Sequence, residues 1–156
     1  MKIIICHLIT VFMLCACQGS NQEQKLNTSN QIQSISVDGM PALGPYSTAV
    51  KANGMLYVSG IIAFNPETNS FTQANIEAQT KQIFVNLEKV LTATGGSLND
   101  IVKTSIYLKN PEDFPKMNEV YSTYFPNYKP ARTTVPGVNW GREDILIEID
   151  FLVMLP

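Results

Sequence analysis

Histidine and cysteine, on which most nucleophilic and metal-dependent active sites are built, are nearly missing from this 156-residue chain. The one histidine is His7, and the three cysteines are Cys6, Cys15 and Cys17, all within the first 17 residues. Those residues read as a secretory signal over 1–16, with Lys2, an apolar stretch from Ile3 to Leu14, and then small residues. The apolar stretch is too short to span a bilayer, which takes about 20 residues. A domain without this segment has no histidine and no free thiol once Cys17 is consumed. A Ser/His/Asp triad, a Cys/His pair, a zinc site of His or Cys, and disulfide stapling are thereby excluded. No metal site is expected. Positive charge is scarce too: removing Lys2 from the 11 basic residues leaves 10 against 13 acidic, a net of −3. With no basic run or stripe, nucleic-acid binding by phosphate neutralisation is not expected.

What the N-terminus does contain is Leu14-Cys15-Ala16-Cys17, followed by a polar run from Gln18. It resembles the bacterial lipoprotein processing site, in which cleavage leaves a lipid-modified cysteine, here Cys17, as the new N-terminus. The alternatives are an uncleaved anchor or a plain secretory signal. Two or more acyl chains give stable membrane attachment where one gives marginal binding. The resemblance therefore implies an exported protein at the cell envelope, on its periplasmic or extracellular face. Residues 17–33, rich in Gln, Asn, Ser and Thr, read as the lipidated cysteine and a disordered tether. Residues 34–156 suit one domain, with no internal repeat.

Within the domain, Asn53-Gly54 between apolar runs predicts a hairpin, because its turn type needs positive φ at both central residues. Gly60 ends the second strand; a glycine there terminates pairing or lets a ligand approach the backbone. Asn75 predicts the start of a helix to about Thr94, ended by Gly95-Gly96, with Ile76, Ile83, Leu87, Val90 and Leu91 on one face. Ile101 to Leu108 alternates as a strand, setting Lys103, Ser105 and Tyr107 against Val102, Thr104, Ile106 and Leu108. A second helix, capped near Asp113 and with Pro115 in its first turn, carries Phe114, Met117, Tyr121 and Tyr124 on one side. Asn118 shares that side and needs a hydrogen-bond partner, either backbone or ligand.

Two stretches near the C-terminus carry the chemistry. Arg132, one of two arginines, lies in Pro130–Val135, a run that reads as a half-buried strand. Its guanidinium suits a carboxylate or phosphate held by two parallel hydrogen bonds, whether a ligand's or one from its own protein. In the terminal strand from Ile145 to Leu155, Ile145, Ile147, Ile149, Phe151 and Val153 form a core face. Glu148 and Asp150 lie on the other face, roughly 7 Å apart, framed by Leu146 and Leu152. Two helices cover one face of a sheet, so so apolar a second face has to be buried, most economically by self-association.

GPYSTAV at Gly44–Val50, YVSG at Tyr57–Gly60, the Gln79–Asn86 helix segment, DIVKTSIYL at Asp100–Leu108, DFPKMNEVY at Asp113–Tyr121, PARTTV at Pro130–Val135 and IEID at Ile147–Asp150 form an ordered series. Together they resemble the RidA (YjgF) family of reactive-intermediate deaminases over essentially the whole domain. The resemblance implies an α+β, chorismate-mutase-like mixed sheet with two helices on one face, assembled as a homotrimer with a ligand cleft between copies. It implies hydrolysis of 2-imino acids or their enamines to 2-keto acids and ammonia, without cofactor. By the same resemblance Arg132 holds the substrate carboxylate, Glu148 orients or activates water, and Tyr46 lines the pocket. Ser59, Gly60, Asn118 and Thr134 add substrate contacts. Ile61 departs from a common glutamine and Thr134 from a frequent cysteine, and the 136–143 loop with Trp140 is atypical. The rival reading is a non-catalytic module of the same fold that binds small carboxylates.

Overall fold

The computed structural model describes residues 32–156 apart from 41, 43, 73 and 74. The expected signal (1–16), the lipidation site Cys17 and the tether up to residue 31 lie outside the described residues. Strands β1 (Gln33–Ile35), β2 (Ala49–Ala52) and β3 (Met55–Ile62) are followed by a small hairpin of β4 (Phe64–Asn65) and β5 (Ser70–Phe71). Then come α1 (Ile76–Thr94), β6 (Ile101–Leu108), α2 (Phe114–Tyr124), β7 (Ala131–Pro136) and β8 (Ile147–Met154). Six strands form one sheet in the order β1-β2-β3-β8-β6-β7. Only β6 and β7 run parallel, joined through α2. This is the expected mixed sheet with two helices on one face.

Local chemistry explains the elements. Asn53 and Gly54 take φ of 52° and 76°, the turn conformation that reverses β2 into β3. Asn75 caps α1 by accepting a hydrogen bond from the Ala78 amide at 3.0 Å. At the other end Gly95 is left-handed (φ 77°), and the Gly96 amide donates to the Leu91 carbonyl at 2.9 Å. The core lies between the helices and the sheet. Phe84 of α1 is fully buried at its centre, stacked on Tyr124 at 3.9 Å and edge-on to Tyr121, Phe125 and Phe151.

Several sequence expectations need correction. The tether does not reach residue 33: Gln33 pairs with Lys51 in β1, because an edge ladder needs only backbone groups. In β6 it is Ile101 rather than Val102 that enters the core, since the register against β8 slips between Ile101 and Lys103. β8 begins at Ile147 because the Leu146 amide and carbonyl are taken by Gln79 and Lys109. Asp113 does not cap α2 with its side chain; its carboxylate accepts from Asn110 instead. The Arg132 strand is not half buried, because β7 is the sheet edge and most of it is exposed in a single chain.

The sheet face away from the helices carries Tyr57 and Met154, 51% and 59% exposed, beside Leu152 and Val135. Apolar side chains gathered on an uncovered face mark an interaction surface.

Candidate functional site

Glu148 projects from near the start of β8 onto this uncovered face, opposite Tyr107 of β6 and Ile62 of β3. Between Val58 and Ile61 the β3 strand bulges, so that Ser59 and Gly60 together face the single residue Asp150. The bulge brings Gly60 against the Glu148 side chain. A β-carbon on Gly60 would stand 2.5 Å from the Glu148 carboxyl carbon, well inside any tolerable contact. Gly60 has no positive φ, so space rather than backbone freedom requires the glycine.

This placement leaves Glu148 half-buried, and burial raises its pKa above the usual carboxylate value. The indole N–H of Trp140, near but making no full hydrogen bond, offsets part of the rise. The charge of Asp150, two residues along the same face, adds to it. Asp150 accepts a hydrogen bond from the Tyr107 hydroxyl at 3.2 Å. The Tyr107 pKa is raised in turn, first by the Asp150 charge, then by burial and by that hydrogen bond. The face thus holds two neighbouring carboxyl groups, of which that of Glu148 has its proton affinity raised.

Tyr46 and Ser59 complete this half. Tyr46, in a tight turn closed by its amide donating to the Gly44 carbonyl at 2.8 Å, is 52% exposed and overhangs a chamber of about 90 Å³. Ser59, Gly60 and Glu148 share the chamber wall. An open groove beside it runs past Lys103, Ser105 and Asp150. The Ser59 hydroxyl donates to the Ser47 carbonyl at 2.8 Å, tying the bulge to the Tyr46 turn.

Arg132, Asn118 and Thr134 form a separate group. Arg132 pairs with Thr104 and Thr134 with Ile106, both buried beneath the helices, so the two β7 residues face the helix side. The guanidinium lies 4.9 Å from the Tyr121 ring centre and 5.7 Å from that of Phe114. Its Nη1 donates to Asn118 Oδ1 at 2.8 Å, which supplies Asn118 with a side-chain partner rather than a backbone one. Among the described residues no carboxylate pairs with Arg132, so the internal ion pair weighed from the sequence is not formed. A second cleft at this edge is lined by Asn118, Tyr121, Lys129 and Arg132. Arg132 and Glu148 therefore lie on opposite faces of the sheet, on strands about 10 Å apart with β6 between them.

Residues 37–155 match the family model described as Endoribonuclease L-PSP. The chain belongs to the RidA/YjgF family. A RutC family protein of Pyrococcus horikoshii is 45% identical over 108 residues, 69% of this chain and 85% of that one. A protein of Dermatophagoides farinae named 2-iminobutanoate/2-iminopropanoate deaminase is 36% identical over 113 residues, 72% of this chain and 88% of that one. Among solved structures, a Rid family protein of Yersinia pestis superposes with a TM-score of 0.74 at 35% identity. That match covers 80% of this chain and all of the other.

Sequence reasoning left two RidA-family helix residues without a role. Gln79 and Asn86 of α1 are both 1% exposed. Gln79 donates to the Thr72 and Asp144 carbonyls and accepts from the Leu146 amide, fixing the entry to β8. Asn86 donates to the Ile62 and Phe64 carbonyls at 3.3 and 2.8 Å, fixing the end of β3 beside Glu148. The signal was present: both amides fall on the apolar face of α1, where an unpaired amide is costly. Tyr107 and Trp140 were also unassigned, and only register and the path of the 137–146 loop bring them near Glu148.

Proposed function

We propose that this chain hydrolyses small 2-imino acids, or their enamine tautomers, to 2-keto acids and ammonia without a cofactor. The observation that carries the reading is Glu148, a half-buried carboxyl with raised proton affinity, pressed over Gly60 at the mouth of a chamber. The name of the Dermatophagoides relative supports it. In this reading Arg132 grips the substrate carboxylate with two parallel N–H donors. Glu148 takes a proton from water as the oxygen adds to C2, and the imine nitrogen gains a proton. The C2–N bond of the resulting carbinolamine then breaks. The hydroxyl proton passes to the nitrogen, with Glu148 as the relay, as the C2=O bond forms and ammonia leaves. Tyr46 closes the site, Ser59 and Gly60 shape it, and Asn118 and Thr134 support Arg132. The imine carbon is already electrophilic, so positioning and proton transfer suffice.

Because Arg132 and Glu148 face opposite ways, one copy does not complete this site. A homotrimer whose uncovered apolar faces meet, with Arg132 of one copy opposite Glu148 of the next, completes it and covers Tyr57, Leu152 and Met154. Attachment to a membrane through lipidated Cys17 is part of the same proposal and rests on the 14–17 sequence alone. RNA cleavage, which the family description names, gains no support from a net −3 domain without histidine.

The deciding experiment supplies imino acids generated in place by an amino-acid oxidase and follows keto-acid and ammonia release. Acceleration over buffer is expected. Binding of 2-keto acids with no acceleration would overturn the enzyme in favour of a carboxylate-binding module.

A further inference from the structure

Residues 137–146 join β7 to β8 without forming a helix or strand, the kind of segment that is ordinarily mobile. Here they are fastened on both sides of Trp140. Two residues before it, the Val138 amide donates to the Leu108 carbonyl at 2.9 Å. Two residues after it, the Arg142 carbonyl accepts from Lys109 Nζ at 3.3 Å. The Arg142 guanidinium donates to both Asp144 oxygens, at 2.9 and 2.6 Å, and lies 4.4 Å from the Phe71 ring centre. Between these ties Asn139 Oδ1 accepts from the Gly141 amide at 2.8 Å, and Gly141 takes a left-handed φ of 70° that glycine adopts without strain. Trp140 is the middle residue of that turn, half-buried, with its indole reaching toward Glu148.

The indole N–H can donate but not accept. Among the described residues it completes no hydrogen bond, and the Glu148 carboxyl is the acceptor it approaches. Glu148 has no full hydrogen bond either, because the hydroxyl facing it, that of Tyr107, is committed to Asp150. A carboxyl on a flexible stem is poorly aimed for a base, which must stand within hydrogen-bond reach of its water. A donor on one oxygen fixes the direction of the other, and it binds most strongly to the ionised carboxyl, the form able to take a proton.

On the footing of the proposed imine hydrolysis, we infer that Trp140 is the positioning residue of Glu148: its indole N–H holds one carboxylate oxygen and turns the other toward the water that attacks C2. The 139–141 turn keeps the indole in place, and rotation of the Glu148 side chain completes the bond. Other ionisable groups surround the pair. Asp150 shares the Glu148 strand, Tyr107 faces it from β6, Tyr46 borders the same chamber, and Lys103 lies farther along the groove. On the loop itself Glu143 is paired with Lys109 and Asp144 with Arg142.

Trp140 is the chain's one tryptophan, so its emission reports this contact directly. For the full chain, excited where tyrosine does not absorb and followed from about pH 4 to pH 8, the emission should pass through one transition. Asp150→Asn should keep that transition and Glu148→Gln should abolish it. No transition, or one that survives in Glu148→Gln, would overturn the contact. Trp140→Phe keeps a ring and removes the donor. Its kcat for imine hydrolysis should fall by roughly tenfold or more with KM little changed. The acid limb of its pH–rate profile should move to higher pH, since a carboxylate that loses a donor binds its proton more tightly. An unchanged kcat and limb would overturn the positioning role even with the transition present. Should Trp140→Phe fail to fold, the emission of the parent against that of Glu148→Gln still decides. If the parent hydrolyses no imine, the catalytic reading falls by itself; a Glu148-dependent transition then supports the contact, and its absence removes both.

Discussion

The carboxyl group of Glu148 occupies the space that a β-carbon on Gly60 would need. The β3 bulge and the β8 carboxyl are thus one feature, built from residues 88 positions apart in sequence.

Gly60→Ala should force the Glu148 side chain away or push the bulge open. Overpacking of this kind costs about 1–3 kcal/mol, which urea denaturation will read as a lower midpoint at unchanged slope. Imine hydrolysis should fall by more than the loss of folded protein explains.

The raised pKa of Glu148 sets the sign of a stability effect. Its folded pKa lies above its unfolded one, so the associated stability is fully present below the unfolded pKa. It is lost as pH rises through the folded pKa. Glu148→Gln should match the parent chain near pH 4 and be the more stable of the two at pH 8, although catalytically poor. Urea midpoints from pH 4 to 8 check this.

Asp150→Asn should lower the pKa of Tyr107, for which the Asp150 charge is the leading cause, and also that of Glu148. Phenolate absorbance followed against pH reads the first change. The acid limb of the pH–rate profile should move to lower pH. A limb that stays in place would mean that another group governs it.

Arg132→Ala and Glu148→Gln should each be inactive when pure. If the site is shared between copies, unfolding and refolding the two variants together restores activity to about a quarter of the parent rate. That is the fraction of interfaces combining two intact halves on random mixing in a closed ring. No recovery in mixed assemblies would place both residues in the same copy's site.

Cys17→Ser should abolish lipid attachment and release the protein from membranes prepared from expressing cells. Mass spectrometry of the N-terminal peptide, with acyl chains on Cys17 in the parent alone, is the direct check.

Much of this was legible in the residues. The Asn53-Gly54 turn, the Asn75 and Gly95 ends of α1, and the alternation along 145–155 follow from local backbone preferences and side-chain period. Local rules therefore sufficed to find them. The series of motifs gave the family, and the family model and relatives agree with it. Less accessible were slips that depend on a neighbour: the entry of Ile101 in place of Val102, and the pairing of Gln33 with β2.

The sequence by itself determined which chemistries are closed to this domain, where the β2–β3 hairpin, the two helices and the strands β6, β7 and β8 form, and that Arg132 and Glu148 are its candidate charged site residues. Only the tertiary structure decided where those two groups sit. Strand order puts β6 between β7 and β8, and the pleat turns Arg132 toward the helices and Glu148 away from them. Strand order and register are long-range choices made when the core packs around Phe84. No local pattern encodes them, and they set the two residues on opposite faces of one copy.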